Sequence, residues 1–186
     1  MRLEGLISLS KKYSYGFLLL CLLVVISSCN KKLDFADEGP FVVLTTYPGG
    51  ENYYVEFYPR HIAVHQDGKV RIYTEGSEEI IVEADAPIVE IKLAEKEIEG
   101  IKETIENNRF FKLEKDVSDP GVMDGPMQYI TVHTKAESKE VGGEWPIDES
   151  FQAIREEILD YVGDEYDEWL DDIDTYIYDK NPSPTD

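Results

Sequence analysis

Short stretches of alternating apolar and polar residues fill the first half of this chain, and helical spacing takes over in the second. Phe41 to Tyr47 (FVVLTTY) is rich in β-branched and aromatic residues and stops at Pro48-Gly49-Gly50, the pattern of a strand and a turn. Tyr53 to Tyr58 reads as a second strand, ended by Pro59. In His61 to Thr74, Ile62 and Val64 alternate with polar residues, as do Val70 and Ile72, with Asp67-Gly68 between the two sets. A two-residue Asp-Gly turn would set Val64 opposite Arg71. A three-residue loop, Gln66-Asp67-Gly68 with Gly68 at positive φ, sets Val64 opposite Val70 and Ile62 opposite Ile72. The second register keeps one face apolar and is preferred. Glu79 to Ala84 and Pro87 to Leu93 read as further extended segments.

Glu95 to Asn108 carries Ile98, Ile101 and Ile105 at helical spacing among charged residues, and Phe110, Phe111 and Leu113 follow as core candidates. Lys115 to Pro126 reads as a loop. Met127 to Thr134 alternates again and is expected to pair with Lys139 to Val141. Asp148 is placed to cap a helix bearing Phe151, Ile154, Ile158, Tyr161 and Val162, with Gly163 as its stop. Trp169, Leu170, Ile173 and Ile177 mark a third helical segment, Tyr166 to Tyr178, before a Pro-rich tail. The expected class is α+β: an antiparallel sheet of about six or seven strands, with two or three helices packed on one face. The expected division is a leader over 1–28, a tether over 29–40, an α+β domain over 41–163, and an acidic helix and tail over 164–186.

The leader follows from the N-terminus. Arg2, Lys11 and Lys12 precede the apolar run Phe17 to Ile26. Ten residues at about 1.5 Å each cover roughly half the hydrocarbon core of a bilayer, which suits a secretory signal better than a membrane span. The run ends in Ile26-Ser27-Ser28-Cys29, which resembles the lipobox of bacterial lipoproteins. That resemblance implies cleavage between Ser28 and Cys29 and acylation of Cys29, with palmitate among the acyl groups. Two or more acyl chains hold a protein firmly on a membrane. Asn30 after the cysteine resembles lipoproteins destined for the outer membrane of Gram-negative bacteria; the outer face of a Gram-positive cell membrane is the alternative. The order of elements over residues 52–163 loosely resembles small uncharacterised bacterial lipoprotein domains, and no activity comes with that likeness.

Charge narrows the partners. The 186 residues hold 18 bases and 39 acids. Loss of residues 1–28 removes Arg2, Lys11, Lys12 and Glu4 and leaves 15 against 38, a net of −23. Such a field disfavours nucleic acid and leaves cations, basic proteins or neutral glycans. Cys21 departs with the leader, so Cys29 has no cysteine to pair with inside the mature chain.

Few residues suggest chemistry. In the preferred register His61, His65, Lys69, Arg71 and Tyr73 share an outer face, with Arg60 adjacent, as a local basic patch for an anion or acidic partner, or as a solvated face that resists edge pairing. His133 is also expected to face outward, and three histidines without a supporting motif do not argue for a metal. Asp116, Asp119 and Asp124 lie in one Gly/Pro-rich loop, open to a calcium reading or to plain turns. The acid-rich stretch from Asp164 to Asp174 reads as a solvated helix face, or as a docking helix for a basic partner. Trp145 and Tyr54 suit sugar stacking, with core packing as the plainer reading. No nucleophile elbow or Gly-rich phosphate loop is present, and no cofactor is implied. The chain therefore reads as a membrane-tethered, non-enzymatic binding module of the cell envelope. The alternatives are a small hydrolase working through two carboxylates, or a calcium-dependent structural module.

Overall fold

A computed structural model describes residues 32–48, 58–76 and 82–180. The chain divides after Lys32, and every element below belongs to the unit that begins at Leu33. Six strands, β1 (Pro40–Tyr47), β2 (Arg60–His65), β3 (Lys69–Thr74), β4 (Val89–Lys92), β5 (Met127–His133) and β6 (Ser138–Glu144), form one antiparallel sheet in the order β4-β3-β2-β1-β5-β6. Two α-helices, α1 (Glu95–Asn107) and α2 (Glu149–Lys180), complete an α+β fold.

The β2–β3 register is the one that keeps the apolar face intact: Val64 pairs with Val70 and Ile62 with Ile72. Gly68 has φ +89°, as the three-residue loop demands. Its position also admits the Leu93 backbone, whose N–H donates to the Gly68 carbonyl at 2.9 Å. The alternation continues across the sheet. Val70, Val64, Val42 and Val132 form one row of cross-strand neighbours; Ile72, Ile62, Leu44, Ile130 and Val141 form the next. All nine are buried. They join Ile98, Ile101 and Ile105 of α1 and the apolar stripe of α2 in one core.

Both helices begin where their sequence provides acceptors. The Glu97 carboxylate turns back to accept the Ala94 N–H at 2.6 Å. Asp148 Oδ1 accepts the N–H groups of Ser150 at 2.9 Å and Phe151 at 3.0 Å, the expected cap. The expected stop at Gly163 is not made. α2 runs unbroken for 32 residues, so the separate third helix and the boundary at 163/164 merge into one element. Magnitudes explain this: an interior glycine costs about 1 kcal/mol, whereas burying each of Trp169, Ile173 and Ile177 recovers roughly 1.5–3 kcal/mol. All three are buried with Phe151, Ile154 and Ile158. Trp169 Nε1 donates to the Pro87 carbonyl at 2.9 Å, and the Tyr176 hydroxyl donates to Asp85 at 3.0 Å. Trp169, in the stretch considered as a docking helix for a basic partner, thus serves this domain's own core.

Two other expectations change. The segment assigned to a tether is fastened from Leu33 onward. Leu33 N–H donates to Glu106 at 2.6 Å, Phe35 is buried and bridges to Thr134, and Lys135 pairs with Asp34 and Asp37. Of the expected strands, residues 53–57 and 79–81 lie outside the described residues; Tyr58 sits in a bend and Ala84 in a turn. Among the described residues, no helix is long and apolar enough to cross a membrane.

Candidate functional site

The outer-face patch forms around a carboxylate from the neighbouring strand. β4 lies beside β3 and sets Glu90 opposite Arg71. Glu90 Oε1 lies 2.7 Å from Lys69 Nζ and 3.1 Å from Arg71 Nε. The Arg71 contact lacks the alignment of a hydrogen bond, since its buried Nε has no bonded partner. The Lys69 ammonium holds the Glu90 carboxyl below the usual carboxylate range. One carboxylate thus offsets about half of the charge of the two cations, with His65 nearby. His61 lies 4.9 Å from the Tyr73 ring, centroid to centroid, and its Nδ1 is 3.0 Å from Thr45 Oγ1. Burial pushes the His61 imidazole below its ordinary pKa, against the opposing charge of Glu75.

Arg60 leaves this patch. It belongs to the opposite face, in the row Thr74, Arg60, Thr46 and Gln128 at one end of the sheet. Its Nη2 donates to the Tyr58 hydroxyl at 2.9 Å and to Asp174 of α2 at 2.8 Å. His133 sits on β5, separated from the β2 histidines by β1, and pairs its Nδ1 with Ser138 Oγ at 2.7 Å. Among the described residues, no three His, Cys, Asp or Glu side chains gather where they could hold one metal ion.

In the 115–126 loop each acidic residue serves its own turn. Asp116 Oδ1 accepts the Ser118 N–H at 3.0 Å and its hydroxyl at 2.5 Å. Asp119 Oδ1 accepts the Gly121 N–H at 2.8 Å, and Asp124 adopts φ +65°. The loop lies along the edge of β6. Val117 N–H donates to the Gly142 carbonyl at 3.0 Å, and Gly142 N–H donates to the Lys115 carbonyl at 2.9 Å. These bonds cover an edge that would otherwise be open to pairing.

The feature with the clearest binding character lies just past the end of β6. Trp145 has φ +48°, a left-handed backbone that costs a bulky residue about 1–3 kcal/mol. Its N–H donates to the Pro126 carbonyl at 2.9 Å, which holds the turn. The indole is 51% exposed, so the core-packing reading of Trp145 gives way. It forms one wall of a groove of about 460 Å³, together with Pro126, Gln128, Pro146, Gln152 and Arg155. Gln152 Nε2 donates to the Pro146 carbonyl, which fixes that amide with its oxygen unspent. Arg155 forms no ion pair among the described residues, and its Nε is buried with no hydrogen-bond partner there. A half-buried, uncompensated cation in a chain of net charge −21 is an exception that local packing does not explain.

Sequence reading missed this groove because Gln128, Trp145 and Arg155 come from β5, the turn after β6 and α2. Tyr54, the other aromatic considered for stacking, lies outside the described residues. No protein-family model and no curated protein sequence matches this chain.

Proposed function

We propose that this chain is a lipid-anchored envelope lipoprotein whose domain is a non-catalytic binding module, held on the membrane through Cys29 and presenting the Trp145 groove away from it. One structural relationship carries the reading. The chain enters the domain at Leu33 to Ala36, beside Thr134 and Gln66. Trp145 follows Glu144, at the far end of β6 from Ser138. Seven residues of strand separate the two ends by roughly 20 Å. From an acylated Cys29 to Leu33 only three residues intervene, at most about 14 Å of chain. The entry end is therefore tied by a short stretch of chain to the anchor, and the groove lies at the opposite end of β6, as expected if it faces away from the bilayer.

Other features support the same picture. Both helices share one core with the two apolar rows of the sheet, as expected if both cover the same face and leave the His61–Arg71 face open. The resemblance of Asn30 to that sorting signal supports an outer-membrane location in a Gram-negative cell, with the outer face of a Gram-positive membrane as the alternative.

Intact-mass analysis of the protein extracted from native membranes tests the anchor. The expected product starts at Cys29 and carries acyl chains, and Cys29→Ala moves the domain out of the membrane fraction. Recovery of an unacylated chain that retains residues 1–28 would overturn the reading.

A further inference from the structure

We infer that the Trp145 groove binds a carboxylate-bearing sugar residue of an acidic polysaccharide, with the indole under the ring and Arg155 on the carboxylate. This rests on the binding-module reading and names its ligand class. The groove's volume of about 460 Å³ suits a small cyclic unit. A pyranose ring has a flat apolar face of C–H bonds and an edge of hydroxyls. The exposed Trp145 supplies a flat apolar platform, and Gln128 and Gln152 supply amides beside it.

The walls argue against a peptide added as a strand. That mode pairs the peptide with backbone donors and acceptors. Here two wall residues, Pro126 and Pro146, have no N–H, and the N–H of Trp145 is already taken by the Pro126 carbonyl. Recognition in this groove falls to side chains.

Arg155 selects the charge. Among the described residues its guanidinium forms no ion pair with a carboxylate, and its fork matches one in geometry. The overall acidity of the domain does not forbid an anion there. At physiological salt, charges more than about 8 Å away across solvent are screened, whereas a contacting guanidinium is not. The strained backbone of Trp145 fits the same assignment, because a non-glycine residue persists at such a φ only where its surroundings hold it.

The test uses the full-length chain in detergent micelles with trigalacturonate, maltotriose and trialanine as probes. The chain has two tryptophans, and Trp169 is 1% exposed, so a binding-induced blue shift reports Trp145. Saturable binding of trigalacturonate, at least about tenfold tighter than maltotriose, is expected, and Arg155→Gln should remove that preference. Trp145→Gly, read by calorimetry, should lose sugar binding without lowering the melting temperature, because glycine accepts the backbone that tryptophan strains. Equal affinity for maltotriose and trigalacturonate overturns the role of Arg155. Binding of trialanine without either sugar overturns the sugar assignment and leaves the binding module standing. Absence of all binding at millimolar concentration overturns the sugar assignment, whereas an unacylated Cys29 separately overturns the membrane-anchored reading.

Discussion

The hydroxyl of Tyr58 donates a hydrogen bond to the carboxylate of Asp174, 116 residues away, and Arg60 donates to both oxygens from between them. This group ties the entry to β2 to the C-terminal half of α2. Burial, reinforced by the hydrogen bond to Asp174, raises the Tyr58 phenol far above its ordinary pKa, so it stays a donor at any working pH. Tyr58→Phe keeps the ring and removes the bond. Hydrogen bonds to charged groups contribute about 1.5–3 kcal/mol, and the half-exposed Asp174 lowers that to about 1–2 kcal/mol. The urea midpoint should fall accordingly; an unchanged midpoint would show that the helix end is not fastened this way.

Gly163 separates the two readings of the C-terminal region by the sign of one substitution. In a continuous helix, Gly163→Ala should stabilise by about 0.5–1 kcal/mol, since no atom lies within 4 Å of the added methyl. At a helix stop with left-handed backbone, the same change would destabilise. Thermal unfolding followed by circular dichroism gives the answer directly.

His61 makes stability depend on pH in the mildly acidic range. Burial lowers its pKa in the folded state below 6.5, so the unfolded chain takes up the proton first. The contribution is complete above pH 6.5 and is lost as pH falls from there through the folded value. The stability difference between wild type and His61→Gln should shrink as pH falls through that window. A constant difference would mean that the imidazole is not the group responsible.

Reversing the charges of Lys69 and Arg71 should leave cooperative folding intact. Both side chains are about 40% exposed and rest on Glu90, an exposed partner whose ion pairs lie open to solvent. Loss of the cooperative transition in the double Glu variant would place these side chains on the core face and refute the β2–β3 register.

The legible parts of this fold were those that depend on local pattern. Alternation in His61 to Thr74, with one glycine at the turn, was enough to choose between two registers, because a slip would have exposed Val70 and Ile72. Ile98, Ile101 and Ile105 marked α1, and Asp148 marked the start of α2. Gly163 misled because its local propensity for a stop was weaker than the core waiting for Trp169, Ile173 and Ile177. The groove could not be read at all. Its side chains are ordinary in composition, and only sheet order brings Gln128 to the same place as Arg155.

The sequence by itself determined the α+β class, the turn at Gly68 and which residues are apolar enough to form the core. These rest on composition, period and local backbone preference, which act within a few residues. The tertiary structure decided that α2 is one helix, that Glu90 pairs with Lys69 and Arg71, that Arg60 joins Tyr58 and Asp174, and that Trp145 stands exposed beside Arg155. Each of those depends on which distant segments share a boundary once the core is buried, and burial is a property of the whole chain.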